Sequence, residues 1–249
     1  MYQSHRWWFP DQDTHFAKML DRNIEKGGQA VYQEPVRRAS IPYCKKHDVA
    51  LDIGANIGLW ARDLCQFFQR VHAIEPVADF RDCLIKNVPA TNLKIHDCAL
   101  GAENSMIDMI VVPENTGHSH VDTESFGRGK IQMRTLDSMD FPPADYIKLD
   151  CEGYEYNIIL GGENYIKSCK PVIVVEQKFH KDTGTTDNGE AVELLISWGA
   201  KLLQQKKHDL IMGWGEPLQV TNSQAARFIR GLESRENVYL LLNHDEAVI

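Results

Sequence analysis

An alternation that begins at Val49 constrains this chain more than any other feature. Short apolar runs take turns with amphipathic segments: VALDI, LWARDLCQFF, RVHAIE, ADFRDCLIKNV, LKIHDCAL, then YIKLD, YNIILGGENYI, PVIVVE and AVELLISWG. Two parallel strands need a crossover of about a dozen residues or more, and a helix is the usual way to supply it. Strands covered on both faces read as continuous apolar runs, as these do. The pattern predicts an α/β fold with a doubly wound, mostly parallel sheet. Between about Asn104 and Pro143 the alternation lapses into two β-like pieces, MIDMIVV and KIQMRTL, joined by the polar loop ENTGHSHVDTESFGRG. A loop of that length in a compact domain is usually functional or disordered.

Ahead of the alternation, apolar residues at Phe16, Met19, Leu20 and Ile24 predict a helix over 14–26, capped by Thr14 and stopped at Gly27-Gly28. A second helix is expected over about Pro35 to Lys46. Residues 1–46 are read as an N-terminal helical extension, 47–216 as the core domain and 217–249 as a segment packed on it. KLLQQ and HDLIMGW suggest an edge hairpin divided at Lys206-Lys207. Beyond Pro217 a helix near Ser223 to Leu232 and a strand at VYLLL complete the reading. A chain of 249 residues is close to the size of about 250–300 at which single cores stop growing.

Charge narrows the partners. A formal net charge of -8 opposes sequence-independent binding of nucleic acid, which needs clustered cations to neutralise phosphates. The densest basic run, Lys201 to Lys207, is interleaved with Leu and Gln and reads as the solvated end of a strand. The six cysteines, 44, 65, 83, 98, 151 and 169, form no C-x-x-C pair and no regular spacing, so they read as reduced intracellular thiols. The stretch MYQSHRWWFPDQD has neither the basic nor the apolar region of a signal peptide, and no apolar run approaches the roughly 18 residues of a membrane span. A cytoplasmic location, a small-molecule partner and no membrane or nucleic acid are therefore expected; the oligomeric state stays open.

Three consecutive strand ends carry polar groups suited to one nucleoside-like ligand. The first, Leu51-Asp52-Ile53-Gly54-Ala55-Asn56-Ile57-Gly58, is glycine-rich, which lets backbone N–H groups approach a ligand. It is not G-x-G-x-x-G, because Asn56 takes the place of the second glycine and denies a dinucleotide pyrophosphate its close approach. Asp52 suits the ammonium of a methionine moiety better than a phosphate. The second end, Ile74-Glu75-Pro76, offers a carboxylate to ribose hydroxyls, and the third, His96-Asp97-Cys98-Ala99, lies where an adenine is expected.

LDIGANIGLWA, AIEP, CALG, NTGHSHV, RTLDSM and above all YIKLDCEGYEYNIILGG followed by KPVIVVE resemble the FkbM-type methyltransferases. The resemblance runs from about Val49 to Glu176, and its most specific part is Asp150-Cys151-Glu152-Gly153-Tyr154-Glu155. It implies a Rossmann-like class I methyltransferase fold that uses S-adenosylmethionine, most often to methylate a hydroxyl of a sugar or a polyketide-like metabolite. It also implies that Asp52, Gly54, Ala55, Asn56, Gly58 and Glu75 hold the cofactor, with Asp97 or Cys98-Ala99 near adenine. It sets His118 and Ser119, in the GHSH loop, beside the active site.

Methylation of a hydroxyl requires positioning and removal of one proton. Asp150 and Glu152 follow the YIKLD strand at its carboxyl end, the edge where α/β folds bind ligands, and are the first candidates for base and acceptor-orienting group. Gly153 and Glu155 belong to the same turn; Glu155 either meets the acceptor or braces a helix N-terminus. Glu176 ends PVIVVE with His180 close behind, and histidine suits proton transfer near neutrality. Asp150, Glu176 and Gln177 also offer oxygens to a Mg²⁺ ion, though no metal is assigned. Trp7, Trp8, Phe9 and Phe16 stack on an acceptor ring, close over the cofactor or anchor the extension to the domain, and Tyr154 and Tyr156 flank the carboxylates. The competing readings are a nicotinamide-dependent oxidoreductase, with Glu75 on a dinucleotide ribose, and a non-catalytic module that binds S-adenosylmethionine.

Overall fold

The computed structural model describes residues 1–25, 32–176, 179–180, 185–186 and 189–216. The N-terminal segment forms a hairpin of β1 (Tyr2–Ser4) and β2 (Trp7–Phe9), followed by α1 (His15–Glu25) and α2 (Glu34–Ser40). The alternating region then runs β3 (Val49–Ile53), α3 (Ala61–Phe67), β4 (Arg70–Ile74), α4 (Ala78–Asn87) and β5 (Leu93–His96). An insertion adds β6 (Ala99–Leu100), β7 (Ser105–Ile110), β8 (His120–Asp122) and β9 (Ile131–Arg134). The alternation resumes with β10 (Tyr146–Leu149), α5 (Glu155–Leu160), α6 (Glu163–Cys169) and β11 (Val172–Glu176). Last come the short β12 (Phe179–His180) and β13 (Thr185–Thr186), then α7 (Gly189–Ser197) and a hairpin of β14 (Lys201–Lys206) and β15 (Asp209–Gly213).

Seven strands make the main sheet in the order β14-β15-β11-β10-β3-β4-β5. The five from β11 to β5 are parallel, and β15 runs antiparallel to both its neighbours. Side chains alternate across the sheet as a strand's two-residue period requires. Val49, Leu51 and Ile53 meet Ile158, Ile159 and Ile166 of α5 and α6 and Leu195 of α7. Ala50, between them, faces the other way, toward the cluster of Val36, Trp60, Leu64 and Phe68. The apolar runs are thus buried on both faces, which is why they read as continuous. From β3 the chain steps to β4 and β5 on one side, then returns to β10 on the other. The resulting crevice between the carboxyl ends of β3 and β10 is where such sheets bind ligands.

Local chemistry moved several boundaries. The side chain that caps α1 is that of Asp13, whose Oδ1 accepts from the N–H groups of His15 and Phe16 at 2.9 and 3.3 Å, rather than the hydroxyl of Thr14. The helix expected over Pro35 to Lys46 stops at Ser40 and passes into a 3-10 turn, Ile41–Tyr43, because Pro42 has no N–H for an α-helical bond. LKIHDCAL divides into β5 and β6, which lie in different sheets. YNIILGGENYI divides at Gly161-Gly162 into α5 and α6, where a Cβ on Gly161 would stand 2.0 Å from the carbonyl oxygen of Gly101. The final hairpin turns at Lys207-His208, with Lys207 at φ 55, one residue on from the expected Lys206-Lys207. The helix and strand expected beyond Pro217 lie outside the described residues.

The insertion folds into a small sheet ordered β6-β9-β7-β8, so the polar loop is a flap over the strand ends. In the N-terminal segment, Trp7, Phe9, Phe16 and Leu20 are buried with Ile57, Leu59 and Cys83 of the core. Asn87 of α4 locks the hairpin by accepting from the Trp8 N–H at 2.6 Å and donating to the carbonyl oxygens of Trp8 and Ile57. Trp7 and Phe9 thereby anchor the extension on the core. No helix among the described residues is long and apolar enough to cross a membrane. All six cysteines are free thiols.

Candidate active site

The loop after β3 is shaped by three left-handed residues: Gly54 at φ 77, Asn56 at φ 50 and Gly58 at φ 90. Gly54 cannot carry a side chain, because its Cβ would lie 2.0 Å from the Asp150 carbonyl oxygen; its bare backbone lets the ends of β3 and β10 close on each other. Asn tolerates the left-handed region better than most residues. Glu75, at the end of β4 and 4 % exposed, accepts from the N–H of Asn56 through Oε2 and from that of Val77 through Oε1, both at 2.8 Å. Burial pushes its pKa up to about 7 against the pull of those donors.

At the end of β10 the chain turns sharply, with Glu152 at φ 50 and Gly153 at φ 95. Glu155, buried at the start of α5, braces this turn by accepting from the N–H groups of Cys151 at 2.6 Å and Gly153 at 3.0 Å. Burial raises its pKa to about 7. Asp150 projects beside Lys148, with Nζ 3.1 Å from Oδ2. Burial works against the Lys148 ammonium, but Asp150 and Asp52 outweigh it and raise the pKa. Carboxylate oxygens of Asp150, Glu152 and Glu176 lie within 4.8 Å of one another.

These elements enclose a cleft of two lobes. The larger, about 570 Å³, runs from Glu75, Val77 and Phe80 past Ala99 and Leu100 to the flap residues Met109, Ser119 and Val121. The smaller, about 380 Å³, is walled by Phe16, Tyr32, Leu59 and Trp60 above Lys148. Gly54, Asn56, Gly117, Asp150 and Glu152 line both, so the carboxylates stand at the seam.

The family model of the methyltransferase FkbM domain matches residues 52–202. The chain belongs to the FkbM methyltransferase family. Its cofactor is accordingly S-adenosylmethionine. The hexuronic acid methyltransferase AglP of Haloferax volcanii is 28 % identical over 151 residues, 57 % of this chain and 61 % of the relative. The chain thus spans about three-fifths of that relative's length. Among solved structures, the methyltransferase FkbM of Methylobacillus flagellatus KT aligns with a TM-score of 0.46 at 20 % identity, over 66 % of this chain and 42 % of that one. The precorrin-6y C5,15-methyltransferase of Geobacter metallireducens GS-15 aligns with a TM-score of 0.39 at 17 % identity, over 73 % and 91 %.

The cleft suits an adenosine-like cofactor on its own geometry. Each Glu75 oxygen uses one lone pair on a backbone N–H and keeps another for a hydroxyl, beside an apolar slot at Val77, Phe80 and Leu100. Of the residues singled out in the sequence, Gly54, Asn56, Glu75, Ala99, Ser119, Asp150 and Glu152 line the larger lobe, and Ala55 the smaller. Asp52 does not line either lobe; it is fully buried in register with Lys148, and burial raises its pKa to about 6. Gly58 also stays out: its Cβ would stand 2.7 Å from Val88, so it is a packing glycine. Asp97 and His118 are exposed outside the cleft, Cys98 is buried beside it, and Gly153 and Glu155 shape the turn. His180 lies in β12 with its side chain outside the described residues, and Gln177 lies outside them altogether. Sequence reasoning passed over Lys148, Thr116 and Trp60. A lysine inside an otherwise apolar buried strand was the available signal, since lysine is rarely fully buried unless paired.

Proposed function

We propose that this methyltransferase transfers the S-adenosylmethionine methyl group to a hydroxyl of a sugar or polyketide-like small molecule. The observation that carries the reading is the trio of carboxylates, Asp150, Glu152 and Glu176, gathered within 4.8 Å, with Asp150 and Glu152 at the seam of the two lobes. The name of the relative AglP supports a sugar-derived acceptor. The core is read as doubly wound, with the N-terminal extension and the flap closing the cleft.

When bound, the cofactor supplies an electrophilic methyl on a sulfonium. Glu75 would hold the ribose hydroxyls, the Gly54-Ala55-Asn56 backbone would receive the methionine end, and Val77, Phe80, Ala99 and Leu100 would offer the adenine an apolar surface. Asp150 takes the acceptor's hydroxyl proton, its orientation set by the ion pair with Lys148. Glu152 and Glu176 accept hydrogen bonds from neighbouring hydroxyls and aim the reacting oxygen, which supplies the acceleration that comes from positioning. The aromatic faces of Tyr32 and Trp60 and the flap exclude water.

The test is incubation with methyl-labelled S-adenosylmethionine and a panel of methyl glycosides and uronic acids, with the product treated in base. A base-stable methyl ether is expected. A base-labile methyl ester would move the chemistry from a hydroxyl to a carboxylate, and no transfer to any sugar would remove the sugar from the proposal.

A further inference from the structure

We propose that Asp13, which belongs to no motif, is a positioning residue for the cofactor loop, acting on it through Thr116 and Asn56. Asp13 and Thr116 are 0 % and 1 % exposed. One oxygen of the Asp13 carboxylate caps α1, and the other accepts the Thr116 hydroxyl. The carbonyl oxygen of Thr116 accepts from the Asn56 side-chain amide at 3.1 Å. Asn56 in turn donates its backbone N–H to Glu75 at 2.8 Å and turns its side-chain oxygen onto the Ile57 N–H at 2.8 Å. A continuous chain of hydrogen bonds therefore joins three segments far apart in sequence: the extension, the flap and the loop that carries the left-handed Asn56. A second tie runs alongside, from the Thr14 N–H to the Glu114 carbonyl oxygen at 3.2 Å.

An anchor would not need this chain. The burial of Trp7, Phe9, Phe16 and Leu20 against Ile57, Leu59 and Cys83 already fastens the extension, because apolar contact is non-directional. A buried, fully satisfied polar network adds a unique geometry. That geometry is spent on the cleft, since Asn56, Thr116 and Gly117 all line it. Phe16, on the helix that Asp13 caps, walls the smaller lobe. It approaches so closely that a Cβ on Gly117 would stand 3.1 Å from its ring. Asp13 thus holds the Asn56 loop, and with it the Glu75 carboxylate, in the shape that receives the cofactor.

The inference rests on the cleft being the cofactor site, and its test separates the two. S-adenosylhomocysteine binding is measured by titration calorimetry on the full chain, with thermal melts of each protein, for Thr116→Val, Thr116→Ser, Asp13→Ala and Glu75→Gln. Thr116→Val leaves the α1 cap and the Thr116 carbonyl in place and removes only the hydroxyl. It is expected to weaken binding about tenfold, the upper range for one hydrogen bond, and Thr116→Ser to restore it. Asp13→Ala is expected to weaken binding at least as much, and if it does not fold, Thr116→Val decides alone. Wild-type affinity in Thr116→Val, with loss in Glu75→Gln, would overturn the inference while leaving the cofactor site standing. Wild-type affinity in both would overturn the two together.

Discussion

Glu75 shows how much a single residue does in this site. Its carboxylate fixes the Asn56 loop through one lone pair on each oxygen and retains one on each for the ribose. Glu75→Gln replaces one oxygen with a donor that opposes a backbone N–H. It is expected to cost about 1.5–3 kcal/mol in S-adenosylhomocysteine affinity, read by calorimetry. Burial holds Glu75 near pKa 7, and ligand hydroxyls that donate to it favour the charged form. Wild-type affinity should therefore fall as pH is lowered from 8 to 6, with a flatter profile in Glu75→Gln. Behind the end of β4, His72 and His96 stack with Nδ1 and Nε2 3.0 Å apart, edged by Phe141, and the His96 carbonyl oxygen accepts from the Glu75 N–H at 3.1 Å. Burial lowers both pKa values from 6.5, that of His96 to about 4, with His72 adding to the shift. The folded state resists protonating them, so the stability they contribute is full above pH 6.5 and is lost as pH falls toward 4. Glu75 and Glu155, held near 7, act in the opposite sense. The pair's share is therefore read as the difference between wild type and His96→Gln in urea midpoints at pH 7.5 and 5, where the variant should lose less.

At the scale of elements, function depends on two strand-to-helix turns pressed together. The β3 turn is left-handed at Gly54, and the β10 turn at Glu152 and Gly153 is held by Glu155 from the first turn of α5. Gly54→Ala would place a methyl 2.0 Å from the Asp150 carbonyl oxygen at φ 77, combining a backbone clash with a strained conformation. The expected outcome is a destabilisation of more than about 1 kcal/mol together with lost cofactor binding, measured by thermal melts and calorimetry. A stable variant that binds normally would mean the two strand ends can separate without harm. Glu155→Gln keeps the shape but weakens the brace, and the turn carrying Asp150 should loosen with it.

For the molecule as a whole, the balance of charge at the seam bears on metal dependence. Asp150, Glu152 and Glu176 form a group that could hold a cation, yet Lys148 already sets an ammonium 3.1 Å from Asp150. Activity is accordingly expected to survive EDTA; complete loss restored by Mg²⁺ would assign the carboxylates to an ion. The extension is the other whole-molecule feature. Removing residues 1–25 would uncover the apolar surface around Ile57, Leu59 and Cys83, and a lower melting temperature with a greater tendency to aggregate is the expected result.

The sequence alone determined the sheet and the cofactor. Continuous apolar runs such as VALDI and PVIVVE, spaced by helices, allow few architectures, and the strand-end motifs with Gly54 and Glu75 are local enough to be read along the chain. Tertiary structure decided the sorting among neighbours. Asp52 on β3 and Lys148 on β10 are seven strands apart in chain order yet neighbours in register, so an expected ligand is a carboxylate buried beside an ammonium. Glu155 and Gly153 became the brace of a turn because α5 begins immediately after it. Asp13, Thr116 and Asn56 meet only when the extension and the flap fold over the crevice. Apolar periodicity is a property of nearest neighbours in sequence, whereas a hydrogen bond's partner is chosen by geometry that exists only once distant segments have packed.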